Sequence, residues 1–142
     1  DGDGDDDLIV SGRTTDYTYI TKLYRNLDGV LSFYNTILPG IIYGDIRWVD
    51  IDNDGDDDIA ITGRSGGFVG CLRIYENRGG GFIRKSMDLP ELSFSRFDFA
   101  DYDDDGDCDL VINREGAGLV RLSSGTIVSG VVNKYAWSIS LI

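Results

Sequence analysis

The stretch Asp50-Ile51-Asp52-Asn53-Asp54-Gly55-Asp56-Asp57-Asp58 puts side-chain oxygens at loop positions 1, 3 and 5, glycine at 6 and a carboxylate at 9. That spacing suits a hard, oxygen-seeking cation. Calcium takes six to eight oxygen ligands at about 2.3–2.6 Å, and a short loop must curl around the ion to supply them. Asp50, Asp52 and Asp54 are expected to point inward, the Asp56 carbonyl to cap one side and Asp58 to close the shell. Gly55 provides the backbone freedom for the sharp turn. A helix-flanked calcium loop of the EF-hand type needs a glutamate at position 12. Here that position is Ile61, inside a strand-like run, so that loop type is excluded.

The stretch recurs. Asp101, Asp103, Asp105, Asp107 and Asp109 stand in the same pattern around Gly106, and Asp1, Asp3, Asp5 and Asp7 repeat it around Gly4 without the first two positions. The loop glycines Gly4, Gly55 and Gly106 are 51 residues apart, and so are Leu8, Ile59 and Leu110, Arg13 and Arg64, Tyr24 and Tyr75, Asn26 and Asn77, and Trp48 and Phe99. A fixed period of this size marks a repeat architecture in which each unit is one supersecondary element. Two complete calcium sites follow, and a third in the first loop if its position 1 is supplied from elsewhere.

The three loops hold five, six and six acidic residues of the 25 in the chain, leaving eight against 13 Lys and Arg. The net charge of −12 is therefore a property of the loops, not of a disordered acidic tail. Its sign argues against a nucleic-acid partner. No apolar run approaches the roughly 20 residues of a membrane helix, and no signal peptide is visible. The chain begins inside a repeated motif, which suggests upstream sequence. Calcium is millimolar outside cells, which favours a secreted or cell-surface location. Cys71 and Cys108 leave pairing open.

The elements that must carry these loops read as strands. Asp7–Ser11, Thr18–Tyr24, Val30–Leu38 and Ile41–Val49 are rich in β-branched and aromatic residues and separated by Gly-containing turns. Ile59–Thr62, Cys71–Tyr75, Phe82–Met87 and Phe94–Ala100 repeat the plan. No segment keeps a helical period. Ile59-Ala60-Ile61 is apolar on both faces, so it is expected inside a stack of sheets. Leu72-Arg73-Ile74-Tyr75 alternates, as expected nearer an edge. Four strands per 51 residues, stacked face to face, describe β-propeller blades in an incomplete ring. The units are 1–42, lacking its first strand; 43–93; a shortened 94–132; and an extra C-terminal strand, 133–142. Trp48 and Phe99 read as core between blades, with an exposed sugar platform as the alternative.

Trp48 to Ile59, Phe99 to Gly106 and Leu23-Tyr24-Arg25-Asn26 resemble the FG-GAP/VCBS-type repeat, the calcium-binding blade of integrin α-subunit propellers and of many secreted bacterial proteins. The resemblance is close over residues 1–113. It implies calcium in the loop joining the first two strands of each blade, and a non-catalytic role in adhesion, ligand binding or scaffolding, with a protein or carbohydrate ligand. The chain has no histidine, which excludes Ser-His-Asp, Cys-His and histidine–metal chemistry. A carboxylate pair drawn from Asp45, Asp98, Glu76 or Glu115 is the remaining catalytic option. Three further readings are an accessory propeller of a longer secreted enzyme, completion by missing blades of a longer chain, and a head-to-tail assembly or filament of copies. In the last, the surplus strand at Tyr135–Leu141 fills the gap in the next copy.

Overall fold

The computed structural model describes residues 1–34, 37–86, 91–101, 104, 106, 108–114, 117–123 and 126–130. They form eleven strands in three antiparallel sheets. The first sheet holds β1 (Leu8–Arg13), β2 (Tyr19–Leu27) and β3 (Val30–Tyr34) in sequence order. The second is β4 (Ile42–Val49), β5 (Asp58–Arg64), β6 (Gly70–Asn77) and β7 (Phe82–Arg84). The third is β8 (Ser95–Ala100), β9 (Asp109–Arg114), β10 (Ala117–Ser123) and β11 (Thr126–Gly130). Each is an up-and-down sheet of the kind that makes a propeller blade. No sheet closes on itself among the described residues. The expected C-terminal strand at 133–142 lies outside them.

Turn chemistry sets the strand ends. Asp28 and Gly29 have φ of 53° and 83°, the pair of left-handed residues that a two-residue hairpin of matching twist requires. Leu27 therefore pairs with Val30, and β2 runs on to Leu27, three residues past the strand end expected at Tyr24. Gly79 and Gly80, 51 residues on, take the same conformation at φ of 63° and 83°.

The sheets stack face to face through two clusters, and β5 belongs to both. Ile59 and Ile61 pack with Leu23, Ile41, Cys71 and Tyr75 on the side of the first sheet. Ala60 points the other way and joins Leu72, Ile74, Phe97, Leu110 and Ile112 on the side of the third. The expectation of a strand covered from both sides holds for β5. The edge-like alternation expected at 72–75 does not hold: Leu72, Ile74 and Tyr75 are all buried. The reason is position, since β6 is an inner strand between β5 and β7 and has a sheet on each face. Trp48 and Phe99 pack against the core, with the Trp48 ring 6.0 Å from that of Phe82.

Seven described non-glycine residues have φ between 53° and 67°. Asp28, Asn53 and Asp104 are of types that tolerate this left-handed region. Tyr17, Tyr43, Phe68 and Phe94 are not, and each pays about 1–2 kcal/mol for it.

The first sheet's outer face repeats a buried face of the second. Leu8 and Val10 are 41% and 45% exposed, while Ile59 and Ile61, their equivalents, are 0%. Truncation should reveal the difference. Ile61→Ala is expected to cost about 2–5 kcal/mol and Val10→Ala under about 0.5 kcal/mol, read by urea unfolding at low protein concentration. An equally costly Val10→Ala would mean that this face is covered in solution.

Candidate metal centre

The loop between β4 and β5 is wound by its own carboxylates. Asp50 Oδ1 accepts from the Asp54 N–H at 3.1 Å and Asp50 Oδ2 from the Gly55 N–H at 3.0 Å. Asp54 Oδ1 accepts from the Asp56 N–H at 3.0 Å. Short aspartate side chains bond nearby backbone donors in this way and so favour turns over strands. The chain turns at Asn53 and Gly55, with φ of 56° and 92°. Gly2 and Gly4 (79° and 99°) and Asp104 and Gly106 (56° and 88°) take the same conformations in the other two loops. The 51-residue repeat thus extends to individual backbone angles.

The winding brings Asp50, Asp52 and Asp54 together, with one carboxylate oxygen from each lying within 4.8 Å of the others. This donor set is all hard oxygen, largely exposed and anionic, which fits a calcium-type cation and does not suit soft metals. Asp58 stands apart from the trio. It is 1% exposed, and its Oδ1 accepts from the Asn77 N–H at 2.7 Å while Oδ2 accepts from the Ile51 N–H at 3.2 Å. Burial pushes its carboxyl above the ordinary range. The two N–H donors oppose that, and the charges of Asp52 and Asp54 add to it. Asp58 thus ties both ends of the loop to β6. Asp56 contributes its N–H to Asp54.

In the first loop Asp3 Oδ1 accepts from the Asp5 N–H at 3.0 Å, and Asp7 Oδ1 from the Asn26 N–H at 2.9 Å. These are the counterparts of the Asp54 and Asp58 bonds. Asp5 Oδ2 also accepts from the Asp28 N–H at 2.8 Å, and Asp1 lies 3.3 Å from Arg25 Nε. Among the described residues these carboxylates form no trio like that of the second loop. In the third loop Asp101 Oδ2 accepts from the Gly106 N–H at 2.9 Å, as Asp50 does from Gly55, and Asp109 is buried like Asp58. Asp103, Asp105 and Asp107 lie outside the described residues.

Neighbouring loops touch. Asn53 Nδ2 donates to the Gly106 carbonyl at 2.9 Å, and a cavity of about 590 Å³ lies between the first and second loops, walled by Asp5, Asp7, Asp50, Asp56 and Trp48. Of the candidates for a carboxylate pair, Glu76 is held by Arg78 at 2.7 Å and Lys85 at 2.6 Å. Asp45 lies 3.4 Å from Arg47, Asp98 accepts from the Phe99 N–H at 3.0 Å, and Glu115 lies outside the described residues. Both cysteines are unpaired.

Asn77 has a part that sequence reasoning did not assign. Its Nδ2 donates to the Asp57 carbonyl at 3.1 Å, and its Oδ1 accepts from the Gly80 N–H at 2.7 Å. It therefore clamps the aspartate loop to the β6–β7 turn. Its only signal in the sequence was recurrence, with Asn26 51 residues earlier. Asn77→Ala leaves buried backbone groups without partners and should cost about 1–3 kcal/mol, seen as a lowered melting temperature.

No curated protein and no solved structure matches the chain. The model of the FG-GAP-like repeat matches twice, at residues 1–61 and 50–112, so that each match takes in an aspartate loop and the strands around it. With most of its length inside these two matches and its loops repeating angle for angle, the chain belongs to the FG-GAP-like repeat family.

Proposed function

We propose that the chain is a non-catalytic, extracellular calcium-binding repeat module serving adhesion, ligand binding or scaffolding. The observation that carries this reading is the Asp50–Asp52–Asp54 trio, within 4.8 Å in a loop wound around it. The family supports it, because FG-GAP-type repeats are typical of extracellular adhesive and ligand-binding proteins. Among the described residues no helix is long and apolar enough to cross a membrane. Asp50, Asp52 and Asp54 would hold the cation with the Asp56 carbonyl, and Asp58 would steady the loop beneath it. The ion's contribution is charge neutralisation and a fixed loop shape. The absence of histidine from the chain supports a non-catalytic reading.

A second reading rests on the exposed face of Leu8, Val10, Leu31 and Phe33 on the first sheet. In the second sheet the matching face is sealed by a neighbouring sheet. A further blade, from a longer chain or from a second copy, would cover this one in the same way. Light scattering that gives a mass rising with concentration favours copies stacking on one another. A mass that stays monomeric at high concentration removes that version.

Calcium is expected to raise the melting temperature and chelator to lower it. A ligand that binds only the folded form adds about 2.7 kcal/mol at a hundredfold excess over Kd. Asp54→Ala should remove one ion from the measured stoichiometry. Identical melting with chelator and with millimolar calcium would sink the metal reading. Acid should narrow the gap from both sides. Protonation removes the ligand form of the trio. Asp58 has its pKa raised in the fold, so its own contribution to the metal-free protein falls as pH rises and returns on acidification, against the opposite trend from Asp7 and Glu76, whose carboxyls are held low. Thermal melts with and without calcium between pH 7 and 4 measure this.

A further inference from the structure

The end of the sheets away from the aspartate loops carries four aromatic residues in a backbone conformation that such residues avoid. Tyr17 and Phe68, at φ of 67° and 66°, sit in the β1–β2 and β5–β6 hairpin turns. Tyr43, second in β4, and Phe94, just before β8, at 53° and 56°, stack their rings 5.2 Å apart. Members of each pair are 51 residues apart in the chain. Glycine takes this conformation freely, and Gly66 and Gly67 stand beside Phe68.

The fold gains little from the two hairpin rings, since Tyr17 and Phe68 are 73% and 74% exposed. The turns close through other atoms. The Thr14 N–H donates to the Thr18 carbonyl at 2.9 Å, and the Ser65 N–H to the Val69 carbonyl at 2.8 Å. The hydroxyls of Thr14 and Ser65 donate to the same carbonyls at 3.0 and 3.1 Å. Strain carried at an exposed side chain that the turn does not need points outward, to a contact beyond the chain.

Each of these rings carries an arginine, also in repeat. The Arg13 guanidinium lies 4.8 Å from the Tyr17 ring centroid and that of Arg64 3.8 Å from the Phe68 centroid. Neither arginine forms an ion pair with a carboxylate among the described residues, as Arg84 and Arg96 also do not, whereas Arg25, Arg47, Arg73 and Arg78 do. Arg64 Nε is buried with no hydrogen-bond partner. Between the two hairpins runs a trough of about 470 Å³, lined by Tyr17, Thr18, Tyr19, Pro39, Ser65 and Gly66. Four of these side chains bear hydroxyls.

We propose that this end binds a polysaccharide carrying carboxylates at regular intervals, with Tyr17 and Phe68 as stacking platforms and Arg13 and Arg64 as the carboxylate partners. Flat exposed rings match the C–H faces of sugar rings. The guanidinium fork matches a carboxylate bidentately, and the hydroxyls lining the trough match sugar hydroxyls. An arginine–aromatic unit in each of the first two blades suits a ligand that itself repeats. An acidic peptide would engage the arginines but has no use for two strained, exposed platforms. This names the ligand class for the ligand-binding reading above and rests on it, while involving none of the metal-loop residues.

The test is calorimetric titration of the calcium-saturated 142-residue chain with a hyaluronan octasaccharide, its carboxyl-reduced form and a glutamate octapeptide. Binding of hyaluronan at least tenfold tighter than either control is expected. Replacing both rings, Tyr17→Gly with Phe68→Gly, should weaken that binding at least tenfold while leaving the melting temperature unchanged or higher. Arg13→Gln with Arg64→Gln should erase the preference for the carboxylated over the reduced saccharide. The proposal is overturned by absence of hyaluronan binding, by equal binding of the peptide, or by glycine variants that keep binding or melt lower. Calcium stoichiometry measured on the same samples separates the two readings, because intact calcium binding without saccharide binding removes this site alone.

Discussion

Like charges held close together set the terms for the rest of this structure. Asp50, Asp52 and Asp54 bring carboxylate oxygens within 4.8 Å of one another. Each such pair repels by about 1 kcal/mol at the dielectric of water and about 4 kcal/mol near a protein surface. The loop offsets part of this by aiming backbone N–H groups of residues 54, 55 and 56 at the Asp50 and Asp54 oxygens. Those N–H groups converge only if the chain turns left-handed at Asn53 and Gly55. The residue types in the loop are thus fixed twice, once by the charge they collect and once by the turn that collecting it requires.

The strained loop holds its shape because a rigid sheet lies under it. Asp58 is both the last residue of the motif and the first of β5, and its carboxylate joins the Ile51 and Asn77 amides across the loop base. The next three residues, Ile59, Ala60 and Ile61, are sealed between neighbouring sheets. A shift of the loop would therefore drag a strand that is packed on both faces, and close-packed interiors resist such shifts. Loop geometry and sheet stacking are coupled through one residue boundary, 58 to 59. The same boundary recurs at 7 to 8 and 109 to 110.

Much of this was open to inspection in the residue string. A period of 51 with aspartates at fixed offsets announces the repeat. Two-sided apolar character at 59–61 announces a strand between sheets, and β5 is that strand. Burial at 72–75 was not legible, because alternation along one strand cannot reveal that the first sheet covers the side carrying Arg73 and Tyr75 while the third covers Leu72 and Ile74. The role of Asn77 was hidden for a related reason. Its partners, Asp57, Asp58 and Gly80, include residues some 20 positions away in sequence, and only the sheet brings them together. The left-handed aromatics were invisible as well. Tyr17, Tyr43, Phe68 and Phe94 read as ordinary strand or turn residues, since sequence carries the residue type but not the angle it is forced to adopt.

The two ends of the sheets treat left-handed backbone in opposite ways. At the loop end such positions go to Gly2, Asn53 and Asp104, and to Gly4, Gly55 and Gly106, residues that accept the conformation at small cost. At the far end, beside Gly67, the chain also puts aromatic rings there, at residues 17, 43, 68 and 94. A repeat that copied only a folding requirement would have settled on the cheap residues at both ends. That the expensive choice recurs in successive units at one end separates the demands on the molecule. The loop end is shaped by what the fold must hold, whereas the aromatic end carries a cost that the fold alone does not explain.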